Sequence, residues 1–411
     1  MQTNRSLLGK RSSFSNFSTF KTSASPSGPR ALGDEMYDAN GGPTPPSAQA
    51  LYTPQHYNMA AQQQQQQYLP RRSAYYESHW PLYSADWTSA EWGNNELVAV
   101  GTFSEDSNNR IQILHVNRTM DPMTSVSSME FQSTAESMIP YPATKVGWEP
   151  RPTSASNSGP SSIKMISTAD CLRLWDYDME YAKLHQRCTL LNSKSEFMPP
   201  LTSFDWNKVD PSLVITSSID TTCTIWDINT SSAKTQLIAH DNEVYDVTFL
   251  SGSVDIFTSV GADGSVRVFD LRSLDHSTII YEPSKPVPLL RVAANPHDRN
   301  TLATIAAGSN KVYVLDIRAP STPVATLDAH QKTVNSIAWA PVGTGGRSLR
   351  HSLASAGDDC QVLLWDLANG EGNNPLACAY TDSTEVNNLS WSSQGDWMGV
   401  VSGRGIQGVR V

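Results

Sequence analysis

The feature that most constrains this chain is a unit that recurs along it. The unit is clearest at 200–227, PLTSFDWNKVDPSLVITSSIDTTCTIWD. Three short apolar runs, 201–206, 213–217 and 222–226, alternate with turn residues at 207–211 and at Asp220. Asn, Asp and Pro favour tight reversals. Val, Ile and Thr crowd a helix but fit a pleated surface. The unit therefore reads as a three-stranded meander that closes on Trp226 and Asp227.

The third-strand ends recur at Trp175, Trp226, Phe269, Leu315 and Trp365, each followed by Asp, at intervals of 51, 43, 46 and 50 residues. The first strands recur at 81–87, 142–148, 200–206, 243–249, 288–294, 333–339 and 385–391. In these runs an apolar or small residue stands second, another stands fifth, and an aromatic usually closes the run. A step of three followed by two does not suit simple alternation and predicts a bulge near the strand start. Blades of about 40–45 residues that end in Trp-Asp resemble WD40 repeats. Seven registered copies imply an all-β, seven-bladed WD40 β-propeller over 73–411, preceded by a disordered tail over 1–72.

The tail is rich in Ser, Pro, Gly and Gln, with six glutamines at 62–67. Such composition buries too little apolar area to offset the entropy of ordering. Its first 33 residues carry Arg5, Lys10, Arg11, Lys21 and Arg30, with no acid before Asp34. A mitochondrial transit peptide shares that composition, but without helical periodicity the segment reads as a Ser/Arg-rich arm open to phosphorylation. Segment 73–77 is expected to supply the outer strand that the last blade lacks, closing the ring and covering two open edges. Gly403, Gly405 and Gly408 interrupt that blade's last strand, where glycine is unfavourable, so this blade is expected to be the weakest.

Charge is uneven. The tail holds seven Lys/Arg and three Asp/Glu, and the remaining chain holds 23 basic against 37 acidic residues. A propeller of net −14 suits basic protein segments better than the phosphate backbone of a nucleic acid, unless the acidity serves only solubility. No apolar run approaches the roughly 20 residues that cross a bilayer. Five cysteines without close spacing argue against a disulfide framework or a zinc site and for a reducing compartment. Cys171, Cys223 and Cys360 precede third strands and read as small buried side chains.

Within blade six, His330, Ser355, Asp359 and Trp365 fall where a blade is tied from loop to core. A Ser, a His and an Asp together raise the question of a catalytic triad. The same order, with the same Ser-to-Asp step of four, recurs in blade four as His240, Ser259 and Asp263, with Phe269 in place of Trp. Repetition identifies a structural network, to which Asp220 and Trp226 of blade three also belong. No nucleophile elbow, phosphate-binding loop or His-Glu-x-x-His motif occurs, so no catalytic residue, metal or cofactor is expected. The turn at 261–264, GADG, needs glycine for positive φ.

Two further sets are candidates for binding. First-strand positions Tyr83, Lys145, Tyr245, Asp246, Arg291, Asn335 and Asn387 are expected to be exposed at the propeller mouth, where a rigid scaffold presents a partner surface, or else to pair with neighbouring blades. Asp270 with Arg272, and Asp316 with Arg318, form Asp-x-Arg boxes. These resemble the docking element of WD40 proteins that bind the adaptor of cullin-four ubiquitin ligases; the alternative is local pairing of each Arg with a turn carboxylate.

The strings LTSFDWN (201–207), SSIDTTCTIWD (217–227), KTQLIAHDNEVYDV (234–247), SVGADGSVRVFDLR (259–272), DHSTIIYE (275–282) and PLLR (288–291) are similar to a narrower group. That group is the plant Transparent Testa Glabra and anthocyanin-eleven WD40 proteins, with the animal member that associates with DYRK kinases and cullin-four ligases. The resemblance implies a non-catalytic adaptor of cytoplasm and nucleus, monomeric within its complexes, whose partners are kinases or transcription regulators; the alternative is a cullin-four substrate receptor. The chain departs from the group in its long tail, in the Pro/Ser/Gly-rich insertion at 151–162, and in its Gly-rich last strand.

Overall fold

A computed structural model describes residues 74–88, 96–121, 126–150, 162–191, 199–342, 349–368 and 375–411. The expected tail and residues 151–161 of the expected insertion lie outside these. The described chain forms seven four-stranded antiparallel sheets, and no helix occurs among the described residues. Blade three shows why. Leu201–Trp206, Leu213–Ser218 and Thr222–Asp227 are the three apolar runs, and Ser232–Ile238 adds an outer strand. The second strand is buried throughout, whereas the outer strand alternates between exposed and half-buried residues. Third strands end on the expected Asp in blades three to six, while that of blade two, Leu172–Asp178, runs past Asp176.

Six innermost strands carry the expected register shift at their start, as between Leu201 and Ser203 or between Val386 and Asn388. Blade two does not, because its inner strand is only Lys145–Trp148 and pairs regularly. Innermost strands of successive blades contact one another around the ring and enclose a central channel. The core is divided into seven apolar clusters, one between each pair of neighbouring blades. No blade buries its own apolar faces alone, so the ring is the folding unit.

The ring closes by joining distant segments. Tyr75–Glu77 pairs with Gly405–Arg410 as the outermost strand of the last sheet, in the place expected for segment 73–77. Two glycines of that last strand also make room for their neighbours. A Cβ on Gly405 would collide with the Tyr75 ring, and one on Gly408 with Met129 Cε. Their missing side chains let the closing strand and blade one approach, while Gly403 stands in the preceding turn at φ +51°. In the GADG turn, Gly264 does hold positive φ (+80°). Blade one has a longer outer hairpin than blade three: its third strand extends over Asn109–Asp121 and its outer strand over Val126–Ile139. Arg118 anchors this longer hairpin by forking onto Glu96 (2.7 and 2.9 Å) and reaching Asp396 of blade seven (2.7 Å).

Candidate functional site

The structure brings His330, Ser355, Asp359 and Trp365 together. Trp365 Nε1 donates to Ser355 Oγ at 2.8 Å, and the same hydroxyl lies 2.8 Å from His330 Nε2. His330 Nδ1 lies 2.9 Å from Asp359 Oδ2, which also accepts the Gln331 backbone N–H at 2.8 Å. Since Ser355 accepts from the indole, its own proton is directed to Nε2, and Nδ1–H is directed to Asp359. Blade four repeats the arrangement: His240 Nε2 to Ser259 Oγ is 2.8 Å, and Nδ1 to Asp263 Oδ1 is 2.9 Å. There Phe269 replaces Trp and stacks on Phe257 at 4.9 Å, so Ser259 has no indole donor. Burial would raise the carboxyls of Asp263 and Asp359, but the histidine and backbone hydrogen bonds outweigh it and hold both below the usual range. Ser259 and Ser355 are wholly buried and both ring nitrogens of each His are engaged, so neither hydroxyl can reach a substrate.

Blades two and three use a shorter version. Trp175 Nε1 donates to Ser167 Oγ at 2.9 Å, and Trp226 Nε1 to Thr216 Oγ1 at 2.8 Å. Asp220 is not joined to Trp226; it accepts the N–H and hydroxyl of Thr222, at 3.1 and 2.6 Å. Burial pushes the Cys171 thiol up to about 12 and raises that of Cys223, which lies within its strand. Cys360 is half-buried in a turn at φ +63°, not the buried residue expected.

Both Asp-x-Arg boxes form the same closed loop. Arg272 donates to both carboxylate oxygens of Asp270 (2.8 and 2.6 Å), and Arg318 to both of Asp316 (2.9 and 2.6 Å). Each guanidinium pairs locally and still leaves its arginine side chain 66% exposed.

The first-strand candidates line the channel and are less exposed than expected. Asp246 is buried. Its Oδ1 accepts from Ser203 Oγ and the Val247 N–H, and its Oδ2 from the Val292 N–H. The cause is the bulge, which turns this side chain toward the neighbouring blade. Lys145 Nζ lies 3.2 Å from Ser203 Oγ and 3.8 Å from Asp246 Oδ1. Asn335 Nδ2 donates to Asp358 Oδ1 at 2.6 Å and to Val386 O at 3.0 Å. Arg291 Nη2 donates to Tyr83 OH at 2.8 Å, from blade five to blade one, and so across the channel. Tyr245 and Asn387 are half-buried on the same wall.

Sequence reasoning missed Ser203, Asn388, Asp86, Asp205 and Phe103. Asp86 and Asp205 each clip the next blade, accepting the N–H of Trp148 (2.9 Å) and of Phe249 (2.7 Å). Burial pushes Asp86 up to about 6. Their signal is an Asp directly before the closing aromatic, legible in 81–87 and 200–206. A separate surface depression between blades two and three, floored by Leu172, Leu190 and Leu201 and edged by Asp170 and Asp220, includes none of the channel residues.

Seven four-stranded sheets around a channel, one tied by a Trp-Ser-His-Asp network and three by reduced versions of it, define a WD40 β-propeller. Residues 231–270 and 321–366 match the family described as WD domain, G-beta repeat, and the chain belongs to the WD40 repeat family. It is 45% identical over 339 residues to the DDB1- and CUL4-associated factor 7 homolog of Dictyostelium discoideum, covering 82% of this chain and 98% of that one. A WD repeat-containing protein of Saccharomyces cerevisiae is 36% identical over 425 residues (82% of this chain, 76% of that one). An uncharacterized one of Schizosaccharomyces pombe is 37% identical over 400 residues (82% and 89%).

Proposed function

We propose that this protein is a non-catalytic scaffold that assembles regulatory proteins, a kinase or transcription regulators, on its channel mouth, in cytoplasm and nucleus. The observation that carries the reading is the near-complete coverage of a relative whose name describes association with other proteins. The buried and fully engaged serines support it, because they leave the His-Ser-Asp sets a structural role. Affinity capture from the native cell tests it, using the full chain against Tyr83→Ala with Tyr245→Ala. Loss of a kinase or transcription regulator from the variant, with an unchanged melt, is the expected result; an identical catch from both removes the mouth as the docking face.

A second reading, substrate receptor of a cullin-four ligase, is favoured by the name of the Dictyostelium relative and by the twin exposed arginines. It predicts that Arg272→Ala with Arg318→Ala loses the ligase adaptor while the fold melts normally. Retained adaptor binding excludes those boxes as the dock.

A further inference from the structure

Arg291 stands apart from the other enclosed arginines. Arg118, Arg173 and Arg267 each sit in an ion pair with a carboxylate. Arg291 donates to two neutral acceptors, the adjacent Leu290 O at 3.2 Å and, across the channel, Tyr83 OH at 2.8 Å. The carboxylates on the wall are otherwise engaged. Asp246 serves Ser203, Val247, Val292 and Lys145, while Asp86 and Asp205 accept the backbone N–H groups of the next blades. Asp246 is near enough to favour the guanidinium charge, but among the described residues no carboxylate forms an ion pair with Arg291, and the N–H groups that Leu290 and Tyr83 leave unused can take an anion supplied from outside.

The phenol contributes to the same receptor. Tyr83 OH accepts from Arg291, so its own proton is free to donate. A guanidinium and a phenolic O–H that meet across one channel make a two-point receptor for an anionic oxygen. Phe103, 47% exposed, stands with its ring 5.7 Å from that of Tyr83 and adds an apolar shoulder. Lys145 lies on the same wall, with its side chain 40% exposed. The propeller as a whole carries net −14, which repels a polyanion such as a nucleic acid. A lone carboxylate in an otherwise uncharged or basic segment meets no such barrier.

From this geometry we infer that the channel mouth takes a partner's peptide segment bearing one Asp or Glu side chain, whose carboxylate binds Arg291 and Tyr83 while an apolar neighbour rests on Phe103. The inference rests on the mouth being the docking face and adds the chemistry of its ligand.

The probe is a displayed library of random heptapeptides, selected on the full chain. Recovered peptides are then synthesised and their Kd measured by fluorescence anisotropy. The expected peptides share one Asp or Glu beside an apolar residue. Changing that acid to its amide, or making Arg291→Gln in the protein, weakens binding about tenfold or more. The two changes together weaken it little further, because they remove the same contact. Tyr83→Phe costs a smaller factor, and Arg318→Gln costs nothing. Should Arg291→Gln fail to fold, Tyr83→Phe and the peptide's own amide variant carry the test. Peptides without a shared acid, or indifferent to Arg291→Gln yet lost on Phe103→Ala, overturn this inference and leave the docking face standing. An empty selection, or peptides that ignore all three channel variants, overturns both.

Discussion

Blade six is one continuous run of chain held by side-chain hydrogen bonds, whereas blade seven joins residues 386–410 to residues 75–77 and depends on side chains that are missing. In blade six, Ser355 Oγ is the point where Trp365 from the third strand and His330 from the entering loop meet. In blade seven, Gly405 and Gly408 leave the space that Tyr75, Ala74 and Met129 fill. A polar network holds by what is present and fails when one member is removed. A notch holds by what is absent and fails when something is added. The same four-stranded sheet thus has opposite vulnerabilities at the two places.

The largest expected effect is on blade six. Trp365 is 1% exposed, and Trp365→Ala should cost about 3–5 kcal/mol in denaturant melts, as buried aromatic truncations do. A loss below about 1 kcal/mol would mean that blade six is not organised around this residue. Next, Gly405→Val should cost about 1–3 kcal/mol by overpacking. Its distinctive readout is hydrogen exchange: amides of the strand Gly405–Arg410 should lose protection while those of Ser352–Gly357 keep theirs. Equal loss at both would mean that the blades do not fail independently.

Ser355→Ala leaves an indole and an imidazole without their partner and should cost about 1–3 kcal/mol. Ser259→Ala should cost less, because blade four has Phe269 where blade six has Trp365. Matching losses would show that the indole bond contributes nothing.

Acid should distinguish the blades in the same way. Asp263 and Asp359 have folded values below the ordinary 3.8, so the stability they contribute is present above that value and lost as pH falls below about 4. Asp86 is pushed up to about 6, so its contribution is greatest below 3.8 and declines as pH rises through 6. Tm followed from pH 2 to 8 should therefore fall on the acid side, less steeply in Asp359→Asn. In Asp86→Asn, Tm should decline less between pH 4 and 7. An unchanged acid limb in Asp359→Asn would exclude that carboxyl as its source. The smallest effect belongs to the surface: Arg318→Ala should leave the denaturant midpoint unchanged, since exposed ion pairs contribute little.

What the sequence determined by itself is what is written at short range. Seven recurring first-strand runs set the blade count, and the spacing of Trp175, Trp226, Phe269, Leu315 and Trp365 set the register. The three-then-two step announced a bulge that six inner strands carry. The His-Ser-Asp sets were legible because their members lie within one blade, in an order and with a Ser-to-Asp step of four that two copies share. The tertiary structure alone decided the rest, because it depends on the angle at which seven blades meet. No local pattern shows that Asp246 turns inward on the bulge, or that Arg291 meets Tyr83, 208 residues away in the chain. Nor does a glycine in a strand announce itself as a notch until Tyr75 is laid against it. Local periodicity encodes a blade, and closure of the ring decides which side chains share the channel.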